Sequence, residues 1–244
     1  MGRVRLAPFS CKGGKHEEGK QALRCHCPCR HSARNGTSGH LALGDRRGRR
    51  KPRPSGKIYL SSDKERQIDW VSLPDEVIAW VEVPGTNIDE PIVQASPDAP
   101  NAYLHVDALG QGACGTPYID CECSLDSRFL MVYGHHMSDG SVFADFASFT
   151  DEQYAREHGE IIVYRREGET LHLGPVAVDV VNASRESLVI DQEANFNELV
   201  SRSDLVLGEA SEDSQLYAFT TCSYQTRNSR TVLYATPVDP FGKI

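Results

Sequence analysis

Short runs of apolar and β-branched residues recur along most of the chain, separated by polar turns that contain glycine or proline. Runs of strand length cover residues 81–83, 90–94, 128–133, 160–165, 170–181, 186–190, 215–222 and 230–236. Runs this short and this closely spaced favour strands over helices. Because many short strands with few helices are typical of a closed or nearly closed barrel, the pattern predicts a mainly β domain. We assign this domain to residues 58–244, with its first element near Asp63.

A small number of helices is predicted between these strands. They cover residues 63–71, 72–80, 150–158 and 195–203. Two of them begin with pairs that resemble a capping box, Ser72 with Asp75 and Thr150 with Gln153. The helix over 195–203 directly precedes the last two predicted strands.

The charge is divided unevenly along the 244 residues. Residues 1–57 carry 15 Lys or Arg and 3 Asp or Glu, whereas residues 58–244 carry 11 and 31. The first segment also lacks apolar periodicity, so we interpret it as a disordered basic leader before an acidic globular domain. Its charge alone would suit nucleic acid or anionic lipid. A solvated tail fits its composition better, and no nucleic acid partner is expected.

A membrane anchor is not visible in the sequence. No run of 18 apolar residues occurs, and the chain does not start with a charged segment followed by an apolar one. The sequence as written therefore predicts no membrane-spanning segment and no signal peptide.

The cysteines outside residue 222 give no clear site. The sequence CHCPCRH at residues 25–31 resembles a metal motif, but a single residue between cysteines strains a tetrahedral zinc chelate. No metal and no cofactor are therefore expected. Cys114 would be able to form a disulfide with Cys121 or Cys123 in an oxidising compartment, and unpaired loop cysteines are the alternative.

Three residues together suggest covalent chemistry. Cys222 ends one apolar run and Arg230 starts the next, so two strands joined by a polar turn would place them side by side. His135 follows the run over 128–133, and a third strand would bring its imidazole to the same place. A cysteine nucleophile needs such a partner because little thiolate exists at neutral pH, and arginine suits a developing oxyanion. Each residue alone has a structural explanation, but the three together predict a cysteine acyltransferase.

Residues 63–236 resemble the class B sortases in the order, spacing and type of their motifs. The matching motifs are PGTNIDEPIVQ, YGHHMSDGSVF and TTCSY, the last with an arginine eight residues after its cysteine. The predicted helix before the Cys222 strand distinguishes class B from class A in that family.

The resemblance implies an eight-stranded sortase-type β-barrel with N-terminal helices and an extra helix before the penultimate strand. It also implies a cysteine transpeptidase of Gram-positive cell envelopes that cleaves a C-terminal sorting signal, NPxTG-like or NPQTN-like, after threonine. The thioacyl product passes to an amine of a peptidoglycan precursor or a pilin. The expected partners are surface proteins with such a signal, and the expected location is the outer face of the cell membrane.

The resemblance assigns roles to individual positions. Cys222 corresponds to the nucleophile, His135 to the general acid and base, and Arg230 to the group that stabilises the oxyanion; His136 is only a neighbour. Four further positions correspond to the groove for the sorting signal: Asn101, Leu104, Tyr133 and Thr220. A cysteine peptidase, in which water resolves the intermediate, is the alternative enzyme. A non-catalytic module that binds an anionic polymer through residues 1–57 is the alternative from another class.

Overall fold

The computed structural model describes residues 66–110, 114–184, 188, 190–223 and 228–238. The leader over residues 1–57 lies outside this part of the chain. The described residues contain nine strands: β1 (Val77–Glu82), β2 (Asp89–Gln94), β3 (Tyr118–Ile119), β4 (Phe129–Gly134), β5 (Ile161–Arg165), β6 (Leu171–Asn182), β7 (Leu205–Val206), β8 (Leu216–Ser223) and β9 (Ser229–Pro237).

Eight of these strands close into a barrel. Their order is β5-β1-β2-β3-β4-β8-β9-β6, and β6 pairs back onto β5. The strand β6 is long enough to pair with two strands along one edge. Leu171–Leu173 pair with β5, while Ala177 and Val178 pair with β7 outside the barrel. The mainly β, eight-stranded barrel predicted from the sequence is confirmed.

Apolar side chains pack on both faces of β4 and β8. On the inner face, Leu130 and Phe219 join a core that also holds the aromatic residues of the 3-10 helix Ala144–Thr150. On the outer face, Met131 and Ala218 pack in a second cluster that includes residues of the helix Phe196–Ser201. Strands buried on both faces read as continuous apolar runs, which is why these two were visible in the sequence without alternation.

The helix predicted over residues 72–80 is wrong. A 3-10 helix, Trp70–Ser72, is followed by the strand β1. This strand pairs with β2 on one side and β5 on the other, and Val77, Ala79 and Val81 are fully buried. Its β-branched and aromatic residues suit a pleated surface between two neighbours, and that packing outweighs the local preference of the capping pair.

Two short α-helices lie between the strands. In α1 (Glu152–Glu157) the cap is Asp151 and not Thr150, because the Asp151 carboxylate accepts a hydrogen bond from the Tyr154 amide at 2.9 Å. The helix α2 (Phe196–Ser201) precedes β8 with only β7 between them, as predicted. Within the described residues, no helix has the length and apolar character needed to cross a membrane.

The strand predicted over residues 186–190 and the disulfide predicted between Cys114 and Cys123 are not found among the described residues. Leu188 and Ile190, from the strand predicted over 186–190, lie outside any strand and pack against the outer apolar cluster.

Cys123 is a buried thiol that donates to the Phe129 carbonyl at 3.5 Å, so it does not pair with Cys114. Burial raises the pKa of Cys123 to about 11, so this thiol stays protonated at neutral pH.

Candidate active site

The ends of three adjacent strands bring the predicted catalytic residues to one place. The parallel pair β4 and β8 ends with Gly134 opposite Thr221, so His135 and Cys222 are the next residues on the two strands. The antiparallel pair β8 and β9 places Cys222 directly opposite Arg230. Residues directly opposite in an antiparallel pair have side chains on the same face with Cβ atoms about 5 Å apart.

His135 is half-buried and is held by the segment that contains a short 3-10 helix, Ala102–Leu104. Its Nε2 lies 2.5 Å from the carbonyl oxygen of Leu104. The ring of His105 lies nearly parallel to that of His135, with 5.9 Å between the ring centroids. The main chain of His135 is fixed as well, since its carbonyl accepts a hydrogen bond from the Phe143 amide at 2.9 Å.

His136 has a role that the sequence analysis missed. Its Nδ1 donates a hydrogen bond to the carbonyl oxygen of Cys222, with 2.8 Å between the two atoms. This contact ties the end of β4 to the main chain of the predicted nucleophile. The doubled histidine was the available sequence feature, but nothing in it indicated a main-chain partner 86 residues away.

The turn that follows His136 ends at Val142, which has a strained backbone conformation. Val142 forms an isolated antiparallel bridge with His136 and has a φ of 62°. A β-branched residue in the left-handed region is an outlier that costs on the order of 1–3 kcal/mol. Because Val142 is also buried in the barrel core, the surrounding packing keeps this conformation beside the site.

Arg230 is half-buried at the start of β9, where its guanidinium donates to nearby oxygens. One nitrogen lies 3.1 Å from the Ser229 carbonyl and 3.3 Å from the side-chain oxygen of Asn228. Asn228 has a φ of 62°, a conformation that asparagine tolerates better than most residues. These bonds fix the guanidinium on the strand next to Cys222, and a guanidinium carries further donors for a ligand.

Tyr133 and Asn101 are connected through Tyr118, by a ring contact and a hydrogen bond. The Tyr133 hydroxyl donates to the Asp120 carboxylate at 3.0 Å, and its ring lies 5.3 Å from that of Tyr118. The Tyr118 hydroxyl in turn lies 3.5 Å from the Asn101 side-chain oxygen. Burial, together with the charge of Asp120, raises the pKa of Tyr133 well above its ordinary value. The phenol is therefore a neutral donor and not a proton-transfer group at physiological pH.

Thr220 lies opposite Tyr133 in the β4–β8 pair and two residues before Cys222. It is only 3% exposed, and its hydroxyl has no hydrogen-bond partner in the described part of the chain. The hydroxyls of Thr221 and Thr231, which lie opposite each other on β8 and β9, are also buried and have no hydrogen-bond partner among the described residues.

The structure therefore brings the seven predicted site residues into one connected group. Main-chain register joins Cys222, Arg230, Tyr133 and Thr220, and Leu104 contacts His135 directly. Asn101 reaches the group through Tyr118. Among the described residues, no cluster of three His, Cys, Asp or Glu side chains is arranged to hold a metal ion.

Comparison with known proteins finds the same fold in sortases of class B. No family model matches the chain. Sortase B of Listeria monocytogenes is 30% identical over 94 residues, which cover 37% of this chain and 37% of that protein. The crystal structure of Clostridium perfringens sortase B is 25% identical and has a TM-score of 0.57, covering 67% of this chain and 94% of that one.

A more distant structure agrees with the fold. A class B sortase of Streptococcus pyogenes, involved in pilus biogenesis, is 21% identical with a TM-score of 0.59 and covers 70% of this chain and 96% of that one. Class B sortases are cysteine transpeptidases. The closed barrel, the helix before the penultimate strand and these likenesses agree, and together they support a class B sortase.

Proposed function

We propose that this chain is a cysteine transpeptidase that cleaves a C-terminal sorting signal and transfers the upstream protein to an amine of the cell envelope. The observation that supports this most is the strand register, which puts Cys222 opposite Arg230 on one side and level with His135 on the other. The family is associated with the cell envelope, and the proposed place of action is the outer face of the cell membrane.

In the proposed first half-reaction, the Cys222 sulfur attacks the carbonyl carbon of the threonine in the sorting signal. His135 accepts the thiol proton, and the Arg230 guanidinium stabilises the negative charge that develops on the carbonyl oxygen. The peptide C–N bond then breaks, and the imidazolium of His135 donates its proton to the leaving amine. The upstream protein remains on Cys222 as a thioester.

In the second half-reaction an amine attacks the thioester carbon. His135 removes the proton from the attacking nitrogen, the C–S bond breaks, and the proton returns to the Cys222 sulfur. The acceptor is an amine on a peptidoglycan precursor or on a pilin. If water attacks instead, the same site works as a cysteine peptidase.

Intact-mass spectrometry of the full chain tests this function. The chain is incubated with peptides that carry NPxTG-like and NPQTN-like signals, with and without an amine such as triglycine. We expect an acyl adduct that is absent in Cys222→Ala, and a ligated peptide when the amine is present. No cleavage of any peptide would contradict the function, and release by water alone in the presence of amine would favour the peptidase.

Arg230→Lys tests the proposed oxyanion role. An ammonium group does not reproduce the fixed fork of guanidinium donors, so we expect adduct formation to slow by about 100-fold or more. The melting temperature should stay unchanged. Arg156→Lys, on the exposed surface of α1, is the matched control and should react at the wild-type rate. An Arg230→Lys rate equal to that of the control would remove Arg230 from the mechanism.

A further inference from the structure

The contact between His135 and Leu104 determines which ring nitrogen carries the hydrogen. A carbonyl oxygen only accepts hydrogen bonds, so Nε2 of His135, 2.5 Å from the Leu104 oxygen, is the donor. In a neutral imidazole only one nitrogen carries hydrogen. The basic nitrogen of neutral His135 is therefore Nδ1.

The Leu104 carbonyl reaches His135 because the residue packed behind it has no side chain. Gly115 has a φ of 70°, and a Cβ atom there would lie 2.4 Å from the Leu104 oxygen and 2.8 Å from the Tyr103 oxygen. Both contacts are with backbone atoms, which have little freedom to move aside. The approach of the 101–110 segment to the site therefore requires glycine at this position.

Thr116 holds the same segment through three hydrogen bonds. Its amide donates to the Tyr103 carbonyl at 3.0 Å. Its hydroxyl donates to the Val106 carbonyl at 3.0 Å and accepts from the Ala108 amide at 2.8 Å. The side chain is only 4% exposed, so these bonds are shielded from water. They fix the main chain on both sides of Leu104 and of His105, whose ring stacks on His135.

We infer that Gly115 and Thr116 are positioning residues that hold His135 in its Nε2–H tautomer through the Leu104 carbonyl. This inference rests on the proposed function, in which His135 transfers protons. The tautomer makes Nδ1 the atom that takes the proton from the Cys222 thiol and later gives it to the leaving amine. Neither residue contacts the reacting atoms, and the segment around Leu104 transmits their effect.

The first test compares alanine at two glycines of the same region in the full chain. Gly110 has a φ of 66° and an added Cβ would meet nothing within 4 Å, so Gly110→Ala carries the same backbone strain without the clash. Gly115→Ala should lower kcat for thioester formation by about 100-fold, since a displacement of about 1 Å near the chemistry has that effect. KM should change much less, and Gly110→Ala should keep the wild-type kcat.

The second test uses a conservative pair at Thr116. Thr116→Val removes the hydroxyl and both of its hydrogen bonds while keeping the shape, whereas Thr116→Ser keeps the hydroxyl. We expect a lower kcat in Thr116→Val and recovery in Thr116→Ser. Equal kcat values for the two would show that the hydroxyl does not position the segment.

Long-range ¹H–¹⁵N NMR of the histidine rings separates this inference from the proposed function, because it needs no substrate. The His135 signals are assigned by their absence in His135→Gln. The wild-type ring should show the Nε2–H tautomer, and Gly115→Ala should show a mixture. A wild-type Nδ1–H tautomer, or identical spectra and kcat for the two glycine variants, would overturn the inference. An inactive wild type with the Nε2–H tautomer would instead count against the proposed function.

Discussion

A methyl group added at Gly134 is expected to disturb both the barrel core and the active site. Gly134 is the last residue of β4 and directly precedes His135. A Cβ atom at this position would lie 2.3 and 2.4 Å from two carbon atoms of the Phe143 ring. The conflict is between alanine and that ring alone, because the backbone of Gly134 is not in the left-handed region.

The size of the effect follows from how tightly Phe143 is packed. The ring is fully buried, and its centroid lies 4.8 Å from that of Phe146 and 6.1 Å from that of Phe219. Adding a carbon to such a core costs typically about 1–3 kcal/mol. For a domain of this size each kcal/mol lowers the melting temperature by about 2–4 °C. We therefore expect Gly134→Ala to melt roughly 4–8 °C below wild type for a cost near the middle of that range.

Thermal unfolding of a double-mutant cycle checks this reasoning. Phe143→Leu removes part of the ring that Gly134→Ala would meet, so the double variant should be more stable than the sum of the two single effects predicts. We expect a coupling of about 0.5–3 kcal/mol, as for residues in direct contact. Additive effects, or a Gly134→Ala chain as stable as wild type, would refute the argument. Turnover should fall in parallel, because the Phe143 amide holds the His135 carbonyl.

Two further predictions concern groups away from the site. Arg128→Lys should destabilise the chain by about 1–2 kcal/mol in chemical denaturation, since Arg128 donates to the Ala194 carbonyl at 2.7 Å and lies 3.8 Å from the Phe196 ring. Arg156→Lys, in an exposed pair, should have almost no effect. Burial raises the pKa of Asp179 above its ordinary value of 3.8, so the folded chain holds this proton more tightly than the unfolded chain does. The folded chain therefore loses stability as pH rises from 3.8 through the raised pKa of the folded state. The melting temperature of Asp179→Asn relative to wild type should therefore increase with pH, and a constant difference would contradict this.

The relation between Cys222 and Arg230 was predictable because it is local. The two residues lie eight apart at the end of one apolar run and the start of the next, and the hairpin β8–β9 places them opposite each other. The approach of His135 was also indicated, because the continuous apolar run before it is typical of a strand buried on both faces. In these cases a pattern within a few residues carried the information.

Other parts of the fold depend on partners far away in the sequence. Residues 77–80 of β1 were taken for a helix because the neighbouring strands, β2 and β5, decide their conformation. The strand β3 has only two residues, too few to produce a periodic pattern. The contact of Leu104 with His135 and that of His136 with Cys222 both use carbonyl oxygens. Every residue has such an oxygen, so no residue type indicates these contacts.

The position of His135 depends on two residues that have no side chain. Gly134 leaves room for the Phe143 ring in the barrel core. Gly115 leaves room for the Leu104 carbonyl, which contacts the His135 ring. Replacing contact residues one by one with smaller ones would miss both, because neither glycine contributes a group that can be removed. Adding a methyl group is the informative change, and the two additions are expected to differ. Gly134→Ala should lower stability and turnover together, whereas Gly115→Ala should lower turnover and alter the tautomer of His135.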